Sequence, residues 1–168
     1  MKIIVLGGDG YLGWPTAMYL SEKGHEVTIV DNFAKRTWEQ EIGVPPFNPP
    51  PNLSHRVRVW KEVTHGKVIK VQVCDIAENP ALLYKIFEGA SPDAVVHYAE
   101  QPSAPYSMIS RGHAVYTQRN NVIGTLNLIY AILHHNRDIH IVKLGTMGEY
   151  GTPNIDIEEG WLELEHRG

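Results

Sequence analysis

The chain is short of cysteine, of long apolar runs and of positive charge, and each shortage excludes a class of protein. Cys74 is the single cysteine among 168 residues, which excludes an internal disulfide and a zinc site built from several thiolates. No apolar run approaches the ~18 residues of a membrane-spanning helix, and Ile3 to Leu6 is too brief for the core of a signal peptide. Fifteen Lys and Arg against nineteen Asp and Glu give a net charge of −4, which argues against a nucleic-acid partner. We therefore expect a cytoplasmic protein that binds neither membrane nor nucleic acid.

Short apolar strands alternate with amphipathic helices along most of the chain. This alternation predicts a parallel, doubly wound α/β sheet in one domain spanning 1–168, because parallel strands need crossover helices between them. One stretch breaks the pattern: residues 32–66 hold five prolines between Pro45 and Pro51, and we interpret them as an excursion with one or two short helices. The predicted strands are 2–6, 27–30, 68–73, 94–97 and 139–144, and the predicted helices are 11–23, 80–87 and 114–135.

The first strand leads directly into a glycine-rich turn. Gly7, Gly10 and Gly13 form a G-x-x-G-x-x-G pattern between a predicted strand and a predicted helix. Glycines at this spacing allow a tight turn, a close approach of the backbone to a pyrophosphate and close packing of helix on strand. The N–H groups that begin the helix favour an anion at the same place. The pattern therefore predicts a Rossmann-like dinucleotide site.

An acidic residue ends the second predicted strand. Asp31 lies 18 residues beyond Gly13, where a carboxylate hydrogen-bonds the ribose hydroxyls of adenosine and repels a 2′-phosphate. Lys35 and Arg36 argue mildly the other way, because either cation could pair with a 2′-phosphate. On balance the sequence favours NAD over NADP.

Four further stretches carry a resemblance to a known family. Asp75-Ile76 follows the third strand and Asn120 to Thr125 lies in the long predicted helix; Glu100 to Met108 and Lys143 to Gly160 are longer and more specific. With the glycine pattern they resemble the extended short-chain dehydrogenase/reductase family, whose members bind NAD and act mostly on nucleotide-sugars. The two longer stretches resemble the branch that makes a sulfonated nucleotide-sugar from UDP-glucose and sulfite.

The resemblance implies a role for individual residues. Thr146 matches the family's catalytic hydroxyl residue, which hydrogen-bonds the sugar 4-OH, and it would also contact the substrate together with Gln101, Ser103 and Met147. The implied cofactor contacts are Gly7, Gly10, Tyr11, Leu12, Gly13, Asp31, Asn32, Lys35, Arg36, Asp75, Ile76, Tyr98, Ala99, Glu100 and Asn120.

The chain departs from the family pattern at two places. Pro102 stands where the family usually has Arg, and no Tyr-x-x-x-Lys follows Thr146. The single Tyr-x-x-x-Lys, Tyr19 to Lys23, lies on the first helix, and we interpret it as an accidental pair. We therefore expect a chain truncated before the catalytic helix and the substrate domain, with no complete second domain.

The resemblance implies that NAD takes hydride from C4 of UDP-glucose, that water is lost across C5–C6, that sulfite adds at C6, and that the hydride returns. The partners would be UDP-glucose and sulfite, or a sulfite-delivering protein, with a homodimer in the full-length form. One alternative is another nucleotide-sugar 4-epimerase or 4,6-dehydratase, although the Asp-Glu pair typical of dehydratases is missing after Thr146. A second alternative is a non-catalytic NAD-binding module.

The remaining conspicuous residues are expected to be structural. His134 and His135 are adjacent, so they point about 100° apart on a helix and cannot chelate together, and we predict no metal site. His97 ends an apolar strand, which favours a core position or support of the site over a direct role. Trp38 and Trp60 are expected to anchor the excursion by packing.

Overall fold

The computed structural model describes residues 1–146, 148, 151–152, 156–157, 160–161, 163 and 165–168. In chain order its elements are β1 Lys2–Leu6, α1 Gly13–Glu22, β2 Glu26–Asp31, α2 Ala34–Glu41, α3 Leu53–Val63, β3 Ile69–Val73, α4 Pro80–Ala90, β4 Ala94–His97, α5 Ala104–Ser107, α6 Arg111–Gln118, a π-helical turn Arg119–Ile123, α7 Gly124–His135 and β5 His140–Lys143. No helix in the described part of the chain is long and apolar enough to span a membrane.

The five strands form one parallel sheet in the order β3-β2-β1-β4-β5. All four neighbouring pairs are parallel, which confirms the doubly wound α/β prediction. β1, β2 and β4 are almost entirely buried because helices cover both faces of the sheet. The strand order reverses at β1, and in such sheets ligands bind at the carboxyl ends of the strands beside this reversal.

Two apolar cores lie on opposite faces of the sheet. On one face, α4 and α7 pack Phe87 and Leu128 against Ile4 of β1. On the other face, Ala17 of α1 and Leu53 of α3 pack against residues of β1 and β2. The proline-rich excursion thus supplies α3, the crossover helix between β2 and β3, and is part of the fold.

The long helix predicted for 114–135 is only partly correct. It begins earlier, at Arg111, where Ser110 caps it by accepting a hydrogen bond from the His113 N–H group. A π-helical turn from Arg119 to Ile123 interrupts it, and the short helix α5 precedes it; neither was predicted. Such turns are rare inside helices, so apolar spacing near the α-helical period predicts one continuous helix.

Tyr19, on α1, and Lys23, the residue that follows the last turn of this helix, are both exposed, and neither lines the cavity at the carboxyl edge of the sheet. The Tyr19 side chain is 62% exposed, and the Lys23 Nζ atom lies 5.5 Å from the centre of its ring. This placement agrees with the interpretation of an accidental pair.

Candidate cofactor-binding site

The turn between β1 and α1 requires glycine for steric reasons. Gly7 has a φ of +79°, and a Cβ atom on it would lie 2.8 Å from the backbone nitrogen of Ala99. A Cβ on Gly13 would lie only 2.0 Å from the carbonyl oxygen of Gly7. Both distances are far below van der Waals contact, so these positions accept no larger residue without moving the backbone.

Gly8 is a further required glycine that the pattern did not single out. A Cβ there would lie 2.2 Å from the Cγ2 atom of Ile29, so the turn sits directly on β2. Within the described part of the chain, no side chain caps the start of α1. The Trp14 N–H group donates to the Gly10 carbonyl oxygen and Pro15 has no N–H group, so an anion at this turn would be held by the helix dipole and by the N–H groups that precede Trp14.

A cavity of about 680 Å³ opens at the carboxyl edge of the sheet, beside the strand-order reversal. This volume lies in the range of roughly 300–1,000 Å³ that small-molecule and cofactor sites occupy. Most of the residues that the sequence singled out line it. They are Gly7, Gly10, Tyr11, Leu12, Gly13, Asp31, Asn32, Lys35, Ile76, Tyr98, Ala99, Glu100, Gln101, Ser103, Asn120 and Thr146.

Two of the sequence-predicted residues that the structure describes, Arg36 and Asp75, are not part of this lining. Arg36 turns to other partners, and Asp75 lines a neighbouring cavity on the other side of Asn32. One Asp75 oxygen accepts a 2.7 Å hydrogen bond from the Asn32 side chain, and the other accepts the N–H groups of Ala77 and Glu78. Met147 lies outside the described residues. The cofactor contacts proposed for Arg36 and Asp75 stay predictions.

The Asp31 carboxylate is held by the backbone around it. Its Oδ2 atom accepts the Asp9 N–H group at 2.8 Å, and its Oδ1 atom accepts the Phe33 N–H group at 2.7 Å. Burial raises the pKa of Asp31, and the two backbone hydrogen bonds oppose that rise. Each oxygen keeps a second lone pair, so the carboxylate has acceptors left for a ribose diol in the cavity.

The two cations after Asp31 are both paired within the protein. Lys35 forms an ion pair with Glu39, one turn later on α2. Arg36 pairs with Asp9, with 2.7 Å between Nε and Oδ2 and 3.0 Å between Nη2 and Oδ1. In the sequence, these cations favoured a 2′-phosphate on the cofactor. The structure weakens that indication, because Glu39 and Asp9 already compensate their charges.

A buried polar chain ends β4 beside the cavity. The Ala99 N–H group donates to His97 Nδ1 at 3.2 Å, so the proton of the neutral ring is on Nε2, 3.1 Å from the Thr125 hydroxyl. That hydroxyl donates to Glu100, whose Oε1 atom lies 3.1 Å from Lys143 Nζ. Burial, with a smaller contribution from Lys143, lowers the pKa of His97 to about 4. His97 is therefore a neutral core residue that supports the cavity wall, as the sequence favoured.

The π-helical turn directs two consecutive side chains toward the cavity. Asn120, which was expected there, and Asn121, which was not, both line it. The Asn121 side chain accepts the Gln101 N–H group at 2.8 Å and donates to the Gln101 carbonyl oxygen at 3.1 Å. Such turns inside helices occur often at functional sites. Here the turn fixes the loop after β4 to the long helix.

Helix α2 of the excursion forms one wall of the cavity by docking on α5 and α6. The Trp38 indole donates to the Tyr116 hydroxyl at 3.2 Å and packs edge-on against its ring. The Tyr106 hydroxyl donates to Glu41 at 2.8 Å, and His113 lies 3.0 Å from the other oxygen of Glu41. Burial and the bond to Glu41 raise the pKa of Tyr106 to about 12. Trp38 thus anchors the excursion, as predicted, and also lines the cavity.

Thr146 follows β5 and lies on the cavity lining, at the carboxyl end of the strand. Its hydroxyl oxygen accepts the N–H group of Gly148 at 3.4 Å. The structure therefore brings the expected catalytic hydroxyl into the same cavity as the glycine turn and Asp31, although more than a hundred residues separate them in sequence.

A glycine turn against a helix N-terminus, an acid at the end of β2 and a cavity at the strand-order reversal together define a dinucleotide-binding domain. The model of the NAD dependent epimerase/dehydratase family matches residues 3–165, so the chain belongs to that family. Among the described residues, no group of three or more His, Cys, Asp or Glu is placed to hold a metal ion.

Two curated relatives are particularly similar to the chain. UDP-sulfoquinovose synthase, chloroplastic, of Spinacia oleracea is 50% identical over 99% of this chain and 34% of its own length. UDP-sulfoquinovose synthase of Sulfolobus acidocaldarius is 48% identical over 95% of this chain and 40% of its own length. The chain thus spans a little over a third of the length of these relatives.

A solved structure shares the fold. UDP-glucose 4-epimerase from Bifidobacterium longum, in complex with NAD+ and UDP, aligns with a TM-score of 0.70 at 24% identity. The alignment covers 92% of this chain and 40% of the epimerase chain.

Proposed function

We propose that the cavity binds NAD. One observation carries the proposal. Gly7 and Gly13 lie where a Cβ atom would clash with the backbone, they lead into a helix without a side-chain cap, and Asp31 lines the same cavity. The glycine turn and the helix N–H groups would hold the pyrophosphate, and Asp31 would hold the adenosine ribose. Ile76 and Asn32 would lie along the adenosine half, and Tyr98 to Glu100 along the nicotinamide half.

The cofactor proposal is tested by calorimetric titration with NAD and NADP. We expect NAD to bind more tightly, and Asp31→Ala to weaken NAD binding by on the order of 1.5–3 kcal/mol because a charge-assisted contact is lost. Asp93→Ala is the matched control, since it removes an exposed carboxylate at the opposite edge of the sheet, where Asp93 accepts the Lys2 N–H group at 2.7 Å. Equal or tighter binding of NADP by the unmutated chain would exclude the proposal.

We further propose that the chain is the N-terminal part of an enzyme that makes UDP-sulfoquinovose from UDP-glucose and sulfite. The two curated relatives at about half identity support this reaction over 4-epimerisation. NAD, when bound, would accept a hydride from sugar C4 and return it later. Thr146 would hydrogen-bond the sugar 4-OH and orient it, a contact that strengthens as negative charge develops on that oxygen. Gln101, Ser103 and Met147 would contact the sugar.

The proposed reaction also needs a catalytic base, a source of sulfite and an assembled full-length protein. The Tyr-x-x-x-Lys pair would come from sequence outside these 168 residues. A sulfite-delivering protein could replace free sulfite, and the full-length form would be a cytoplasmic homodimer. The exposed apolar residues Leu126, Ile129 and Leu133 on the outer face of α7 support an association through this helix.

Conversion of UDP-glucose and sulfite tests the reaction. We expect no turnover by the 168-residue chain and turnover by a form extended through a Tyr-x-x-x-Lys pair, because general acid–base catalysis contributes a factor of roughly 10²–10⁴. In the extended form, Thr146→Val should lower kcat and leave KM largely unchanged. Thr37→Val on α2 is the control, because it removes an exposed hydroxyl and should change neither value. Comparable turnover by both lengths would place the catalytic base within residues 1–168.

A further inference from the structure

A buried carboxylate inside the glycine turn organises two arginines that are distant in sequence. The Asp9 side chain is 7% exposed and pairs with both Arg36 and Arg56. Arg36 contacts both carboxylate oxygens, while Arg56 contacts Oδ1 and also donates to the Asp9 backbone oxygen at 3.2 Å. One negative charge therefore holds two positive charges.

Other contacts fix the two guanidinium groups in this arrangement. Arg36 also donates to the carbonyl oxygens of Pro50 and Pro51, at 3.3 and 3.0 Å. Arg56 lies over the Trp14 ring, with 4.9 Å from Cζ to the ring centre, and its side chain is only 10% exposed. Both arginines stand behind the turn, since Asp9 lines the cavity and neither Arg36 nor Arg56 does.

The position of Asp9 relates this cluster to the adenosine ribose. The Asp9 N–H group donates to Asp31 Oδ2 at 2.8 Å, so the two carboxylates belong to neighbouring parts of one wall. In dinucleotide-binding folds an acid at the end of β2 faces the ribose 2′-hydroxyl, and a nearby arginine accommodates a 2′-phosphate. Arg36, in the first turn of α2, is close enough to Asp31 for their charges to interact, but its guanidinium group is engaged by the Asp9 carboxylate.

We propose that Asp9 is a specificity-determining residue that draws Arg36 and Arg56 away from the ribose and so excludes a 2′-phosphate; this inference rests on the proposed binding of NAD. Asp9 acts in two ways. Its charge offsets one of the two positive charges of the cluster, and its ion pairs hold both guanidinium groups, which would otherwise attract the phosphate. Lys35, a cation that does line the cavity, is engaged by Glu39.

The test compares the ratio of the NADP and NAD dissociation constants among variants of the chain. Asp9→Asn keeps the shape of the side chain and removes its charge, so both guanidinium charges become uncompensated, where one was before. We expect this ratio to fall at least tenfold. The double variant Asp9→Asn with Arg36→Met should restore most of the unmutated ratio, because one uncompensated guanidinium group then remains, as in the unmutated cluster.

Two controls separate specificity from stability and from net charge. Glu22→Gln also changes the net charge by one. Glu22 lies at the other end of α1, where its Oε2 atom is 2.7 Å from Lys67 Nζ, so this substitution should leave the ratio unchanged. Thermal unfolding of every variant shows how much the cluster stabilises the fold, and a loss of stability alone moves both dissociation constants together.

Each outcome decides between the two proposals. If the unmutated chain prefers NAD and Asp9→Asn leaves the ratio unaltered, Asp9 is structural only and the specificity role is wrong while NAD binding stands. If the ratio falls in Asp9→Asn and stays low in the double variant, Arg36 is not the responsible cation and the proposal is overturned in that form. If the unmutated chain binds neither dinucleotide, the proposed function and this inference both fail.

Discussion

His97 is expected to make the fold sensitive to mild acid. Its side chain is 1% exposed at the end of β4, and its ring is neutral because Nδ1 accepts the Ala99 N–H group. Protonation would place a donor against that N–H and a positive charge in an apolar core. Glu100 lies 3.4 Å from Nε2 and favours the charged ring, but Lys143 compensates that carboxylate at 3.1 Å, so burial decides the direction.

The size of the effect follows from the displacement of the pKa. The His97 pKa falls from 6.5 to about 4 on folding, so the neutral form is favoured in the folded state. The stability from this group is fully present above pH 6.5 and is lost as the pH falls through that value toward 4. Linkage gives a loss of about 1.4 kcal/mol by pH 5.5 and about 3 kcal/mol by pH 4.

Urea unfolding followed by circular dichroism at several pH values between 4 and 7.5 measures this loss. His97→Gln should be less stable than the unmutated chain at pH 7.5, and the difference should shrink toward low pH as the unmutated chain loses its advantage. His140→Gln is the matched control, because it removes an exposed imidazole from the neighbouring strand. A difference between His97→Gln and the unmutated chain that stays constant across the pH range would refute the assignment of a buried neutral ring.

The glycine positions supply a further pair of predictions with opposite signs. Gly13→Ala should destabilise the chain by about 1–3 kcal/mol and weaken NAD binding, because its Cβ would lie 2.0 Å from the Gly7 carbonyl oxygen. Gly89→Ala, within α4, meets no atom within 4 Å and should stabilise the chain by about 0.5–1 kcal/mol. Thermal unfolding and NAD titration measure both, and equal effects of the two substitutions would show that the turn tolerates a side chain.

The sequence was sufficient for the fold and for most of the cavity because the relevant signals are local. Runs such as Lys2 to Leu6 and Ala94 to His97 are short, apolar and bounded by turn residues, so the strands follow from local composition. The carboxyl ends of parallel strands meet at one edge, which is why Gly7, Asp31 and Thr146 could be assigned to one site before their distances were known.

The contacts between distant segments could not be predicted in the same way. Asn121 was missed because it lies in a π-helical turn, a rare feature at a place where the sequence predicts a regular helix. The hydrogen bond from the Trp38 indole to the Tyr116 hydroxyl joins residues 78 positions apart, and no local conformational preference specifies such a pair.

The proline-rich excursion shows how such unpredicted contacts produce a site. Proline offers no N–H group but keeps its carbonyl oxygen, and the carbonyls of Pro50 and Pro51 accept hydrogen bonds from Arg36. Arg56, on the helix that follows, contacts the same Asp9 carboxylate. Two segments that composition alone marks as irregular thus converge on one buried charge inside the glycine turn. A single carboxylate can therefore link the packing of the excursion to the shape and charge of the cofactor cavity.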